Sequence, residues 1–270
     1  MAVPISSRTV IEARDTDAAP AASGGRQDRP GRKGPGPKVL IGGAAALVVA
    51  LAVVAGVVLL GGGGEKKKPA GPANGAQISP VAYTPDYDGE GMAKLARRDA
   101  DARPFTADEV FGADAKALKG GGYAYTLAAS DVASDCKSVT WGARLQEDLA
   151  KHGCSQIARG SYVSQDKRYV GQFIAINMQD QDGVRQILRV LDPATSSGFV
   201  LPLAAPGAPA FTKGFSAAYA KTFGHYAVVS WVQRAGGADP ANLTEAINAS
   251  IPIEGPADFV WARLQMVSGK

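Results

Sequence analysis

The residues able to do chemistry in this sequence are few. Its 270 residues hold two cysteines, Cys136 and Cys154, and two histidines, His152 and His225, which excludes a disulfide-dense scaffold, a zinc-finger array, an iron–sulfur protein and a multi-histidine metal enzyme. No C-x-x-C is present, so a redox-active pair is not expected. Two cysteines in one domain outside the cytoplasm most often pair, which makes a Cys136 to Cys154 disulfide the expectation and buried free thiols the alternative. Eighteen residues of unbroken helix would hold the two apart by about 27 Å, against the roughly 4.4 to 6.8 Å between Cα atoms that a disulfide allows. The bridge therefore needs a short helix, Gly142 to His152, with Lys137 to Trp141 running back beside it.

The remaining polar candidates have structural readings. Asp180 and Asp182 flank Gln181, and Asp131 lies four residues before Asp135; each pair could hold Ca²⁺ or do acid/base work, but each sits where a helix N-cap is expected. His152 falls at a helix C-terminus, where a cation complements the dipole, and His225 falls in a tight turn. Neither histidine has a third ligand nearby in sequence, and no G-x-S-x-G, Walker A, G-x-G-x-x-G, H-E-x-x-H or EF-hand pattern occurs. No catalytic residue, metal or cofactor is assigned. Asn242-Leu243-Thr244 is a glycosylation sequon that matters only in a eukaryotic secretory pathway. The best place to look for a ligand is a groove lined by Trp141, Tyr162, Tyr169, Tyr226 and Trp231, although Tyr and Trp in strands more often pack half-buried on a sheet.

The elements that must position these residues follow from pattern. Thr106 with Glu109 forms a capping box, with Phe105 and Val110 at the spacing of a hydrophobic staple, so a short helix or turn starts there. Strands are expected at Tyr123 to Val132, Gln156 to Val163, Tyr169 to Met178 and Tyr226 to Gln233, with Phe215 to Phe223 as hairpin partner to the last and Phe199 to Leu203 as an edge. Helices are expected within Val139 to His152, after Asp182 with Val184, Ile187, Leu188 and Leu191 facing the core, and after Asp239-Pro240. Runs of adjacent strands separated by helices imply an α+β fold: an antiparallel sheet with helices on one face, ferredoxin-like or a related sandwich.

One segment dominates the organisation. Val39 to Leu60 reads VLIGGAAALVVALAVVAGVVLL, twenty-two residues with no charge, amide, hydroxyl or proline. At about 1.5 Å per residue it covers about 33 Å, enough for a bilayer core of about 30 Å, and it is longer than the apolar region of a cleaved signal peptide. A transmembrane helix is expected, in contact with the lipid bilayer. Arg26, Arg29, Arg32, Lys33 and Lys38 precede it and Lys66 to Lys68 follow, a bias that puts the N-terminus in the cytoplasm. Gly42, Ala46 and Ala50 have the small-xxx-small spacing of a weak helix dimer. The expected organisation is a disordered cytoplasmic tail (1–38), the span (39–60), a flexible extracytoplasmic tether (61–103) and an extracytoplasmic domain (104–270). The tail holds seven Lys/Arg against four Asp/Glu, but residues 61–270 hold twenty-two against twenty-one, so the domain lacks the basic excess that nucleic-acid binding needs.

The basic Ala/Gly/Pro-rich tail, single span and low-complexity tether, followed by FTADEVFG, SDCKSVTWGARLQEDLAKHGCSQIARGSY and GHYAVVSWVQR, resemble single-pass membrane proteins of unknown function from high-GC actinobacteria. The most specific element is the spacing of Asp135-Cys136 and Gly153-Cys154. The resemblance implies a bacterial cell membrane or envelope and carries over no catalytic residue and no ligand. The function expected is therefore binding: a membrane-anchored extracytoplasmic interaction domain for a protein or cell-envelope component. The alternatives are an envelope enzyme, most readily a hydrolase, without a recognisable motif, and a transmembrane regulator acting through the N-terminal tail.

Overall fold

The computed structural model describes residues 77–269. The expected tail, the expected span at 39–60 and residues 61–76 of the expected tether lie outside the described residues, and among the described residues no helix is long and apolar enough to cross a membrane.

Among the described residues nine strands are formed: β1 (Ala82–Asp86), β2 (Ala117–Gly120), β3 (Tyr123–Ala133), β4 (Thr140–Trp141), β5 (Gln156–Ser164), β6 (Tyr169–Asn177), β7 (Phe199–Val200), β8 (Ser216–Phe223) and β9 (Tyr226–Arg234). Seven make one sheet in the order β1-β8-β9-β6-β5-β3-β2, curled into a half-barrel, while β4 and β7 pair separately. Every neighbour in the large sheet is antiparallel except β1, which runs parallel to β8 with Ala82 opposite Ala217. The helices are α1 (Ala107–Val110), α2 (Ala143–Lys151), α3 (Gln181–Val190), α4 (Leu243–Ser250) and α5 (Asp258–Ser268), the last two joined by a 3-10 segment, Ile251–Ala257.

This corrects the expected architecture. The sheet is mixed, its order is not that of a ferredoxin-like sandwich, and helices cover both faces rather than one. The reason is in the central strands. Every residue of β6 is buried, and Phe173-Ile174-Ala175-Ile176 alternates between two cores instead of between core and water. On one face Ile174 and Ile176 pack with Leu145 and Leu149 of α2 and Ile187 and Leu188 of α3. On the other, Phe173 and Ala175 pack with Phe105, Ile253, Phe259 and Val260. The fold also begins earlier than Pro104, because β1 and the 3-10 turns Ala93–Leu95 and Arg98–Asp101 belong to it, with Leu95 fully buried.

Local signals behave as their chemistry requires. Thr106 caps α1 through the amide of Glu109 and Asp135 caps the turn Cys136–Val139 through that of Lys137, whereas α3 is capped by Asp180, through the amide of Gly183, rather than by the expected Asp182, which lies in its first turn. The helix expected after Asp239-Pro240 starts three residues later, with Asn242 as its cap.

Candidate functional site

The aromatic residues proposed for a groove are divided by the sheet. Trp231 belongs to the α2/α3 core and Tyr162, Tyr169 and Tyr226 to the opposite one, all four buried. Alternation along a strand sends odd and even positions to different faces, so five aromatics gathered from four strands do not converge. Trp231 stacks against Phe199 and Phe211, with ring centroids 5.0 and 4.3 Å away, and Tyr226 against Phe105 and Phe259 at 5.4 and 5.6 Å. Trp141 alone of the five is half-buried. It donates its indole N–H to the carbonyl of Ile78 and lines a surface cleft of about 380 Å³ with Lys137, Ser138 and Gln146.

The cysteines are bonded, as the folded-back path requires. Cys136 and Cys154 lie 6.4 Å apart at Cα, with α2 reduced to nine residues between them. Gly153, at φ 64°, turns the chain out of α2 toward Cys154, a conformation that favours glycine. Asp131 is paired with Arg159 and Asp182 with Arg185, and among the described residues no group of three or more His, Cys, Asp or Glu side chains is placed to hold a metal ion.

The site that sequence reasoning missed lies on the face opposite α2 and α3. A cleft of about 610 Å³ opens between α1 with β2 on one side and the Ile251–Ala257 segment with α5 on the other. Its lining includes Val110, Leu118, Pro252, Pro256 and Phe259, all buried side chains or rings that form an apolar floor. Asp108, Asp114 and Asp258 stand exposed around it, and Lys119 is the one cation among its lining residues. The three aspartates make no ion pair among the described residues.

Two glycines bring the cleft walls onto the sheet. A Cβ on Gly160 would meet the Phe111 ring at 2.4 Å, and one on Gly171 would meet Ile253 Cδ1 at 2.4 Å. Phe111 ends α1 and Ile253 belongs to the opposite wall, so bare backbone in β5 and β6 lets each wall seat an apolar anchor.

A buried arginine ties the same walls together. Arg263 of α5 is fully buried; its Nε and Nη2 donate to the two Glu109 carboxylate oxygens at 2.8 and 2.5 Å, joining α5 to α1. Its Nη1 donates to Asp101 Oδ2 at 3.0 Å and to the Tyr226 hydroxyl at 2.9 Å, and the carbonyls of Arg103 and Pro104 accept further bonds. Such bidentate, fully partnered geometry is what a buried guanidinium requires. Burial raises the Asp101 carboxyl, but the Tyr226 hydrogen bond and the Arg263 guanidinium outweigh it and hold the group below the usual carboxylate range. Beside this network His225 is buried, stacked 3.8 Å from Tyr226, with Nδ1 on the Leu95 carbonyl and Nε2 without a partner. Burial pushes its imidazole down to about 4, so the ring is neutral.

An apolar stripe runs into the cleft. Leu243, Ile247 and Ile251 lie four residues apart along α4 and its cap, and are 58%, 39% and 49% exposed. That spacing keeps them on one side of the helix over about 12 Å, and Ile251 is also a lining residue of the cleft. A period-four pattern at Leu243, Ile247 and Ile251 is visible in the sequence, but there it signals a buried helix face. The buried face is instead formed by Ala246, Ala249 and Ser250.

No protein-family model matches the chain, and neither a curated protein nor a solved structure matches it.

Proposed function

We propose that this protein is a membrane-anchored binding module. In this reading residues 39–60 cross the bilayer, residues 1–38 stay in the cytoplasm, and the folded domain is displayed on the outer side, in keeping with the resemblance to actinobacterial single-pass envelope proteins. The cleft between α1 and α5, with the stripe on α4, is the surface that engages a partner. The observation that carries the reading is the apolar continuity from Leu243 through Ile251 to the cleft floor, left uncovered at helical spacing; the other exposed large apolar side chains among the described residues are Val81 and, on α5, Trp261 and Met266. The Cys136 to Cys154 disulfide supports the location, because such bonds persist in oxidising compartments.

The location is tested with protease added to intact cells carrying the full chain with a C-terminal tag. The domain should be degraded without permeabilisation and the product should sediment with membranes. Recovery of the full chain in the soluble lysate, or a protected domain in intact cells, contradicts the reading.

A further inference from the structure

We infer that the partner of the α1/α5 cleft is a cationic, amphipathic polypeptide segment, with apolar side chains at helical spacing and Lys or Arg beside them. This inference rests on the binding reading above and adds the chemistry of the ligand. The stripe of Leu243, Ile247 and Ile251 offers apolar contacts at the repeat of a helix face over about 12 Å, which suits helix-on-helix packing better than contact with a small molecule. At the end of the stripe the surface changes character: Asp108, Asp114 and Asp258 surround the apolar floor, against the single Lys119. Glu109, the other acid of the lining, is already occupied by Arg263 and does not enter the balance.

Charge complementarity decides between occupants. An anionic lipid surface fits the apolar stripe but would be repelled by the three free carboxylates. A second copy of the same face would set those carboxylates against one another, unless the stripes alone made contact. The basic run Lys66 to Lys68 of this chain supplies charge but no large apolar side chain for the floor. A segment that combines both properties satisfies the whole surface, and its Lys or Arg would meet carboxylates that make no ion pair within the described domain.

The test uses the full chain in phosphatidylcholine nanodiscs and a fluorescent eighteen-residue Leu/Lys peptide with leucines at i, i+4 spacing, read by anisotropy against empty nanodiscs. Saturable binding that weakens with salt is expected. The variant D108N/D114N/D258N should bind about tenfold more weakly and lose most of the salt dependence, with an unchanged circular dichroism spectrum. Ile247→Ser should weaken binding while leaving the salt dependence in place. If a Leu/Glu peptide of the same pattern binds as tightly, the inferred charge is wrong and the cleft remains a binding surface. Failure of both peptides removes the inference and the cleft reading together. Preferential binding of phosphatidylglycerol vesicles, or an Ile247→Ser variant that turns a dimer into a monomer, overturns the inference in favour of lipid or of a second copy.

Discussion

The two faces of the sheet are finished differently. The α2/α3 face is closed: its helices bury every large apolar side chain they direct at the sheet, the disulfide ties the exit of α2 to the turn Cys136–Val139, and residues 201–215 strap the remainder. That strap is held by polar side chains of the sheet. Arg159 donates to the Leu201 carbonyl, Gln172 accepts from the Leu203 amide, and Gln233 bonds both backbone groups of Thr212. On the α4/α5 face a buried ion network ties two walls together beside an open cleft, and Leu243, Ile247 and Ile251 remain in water, as do Trp261 and Met266 of α5. One face is a scaffold. The other keeps surface available that a domain folding for its own sake would cover.

The α4/α5 face is most sensitive at Arg263. Arg263→Met leaves Glu109 without its ion-pair partner and Asp101 with only the half-exposed Arg103, with an expected loss of about 3 to 5 kcal/mol in chemical denaturation. Adding D101N and E109Q should recover a large part of it, because the penalty comes from the two carboxylates that lose the buried guanidinium. Partial opening of the cleft walls should accompany the single variant.

Two effects of intermediate size separate the faces further. His225 titrates lower in the folded state, at about 4, than in the unfolded chain, at about 6.5, so the unfolded chain binds the extra proton between these values. Stability is therefore complete above about pH 6.5 and falls by about 3 kcal/mol as the pH drops toward 4, and His225→Gln should remove that slope. On the scaffold face, C136S/C154S opens a loop with a sequence separation of 18 and should cost about 3 kcal/mol, with no change in peptide binding at the cleft. The smallest effect is the most informative: Ile247→Ser, at an exposed position, should shift stability by less than about 0.5 kcal/mol while weakening binding.

The closed face was largely legible in the sequence. The periodicity of Val184, Ile187, Leu188 and Leu191 marks α3, the hairpins appear at nearly their true bounds, and the cysteine spacing gives the disulfide once α2 is shortened. The open face was not. β1 is five residues of weak pattern whose parallel pairing with β8 crosses more than a hundred residues of chain. Residues 251–257 carry two prolines and a glycine, which read as loop although they form a 3-10 segment seated on Gly171. Arg263 looks like a solvated charge in WARLQMVS, because only tertiary contact reveals that Asp101 and Glu109 meet it. Tyr162, Tyr169, Tyr226 and Trp231 lie in strands that the pattern marks, but a strand's alternation hides which face each takes until the neighbours are known.

The division of labour between the faces is tested most directly by hydrogen exchange on the full chain in nanodiscs, with and without the Leu/Lys peptide. Slower exchange is expected in residues 107–119 and 243–262, with α2, α3 and the 201–215 strap unchanged. Protection that falls on α2, α3 or the strap, with the α1/α5 cleft unaffected, would contradict that division.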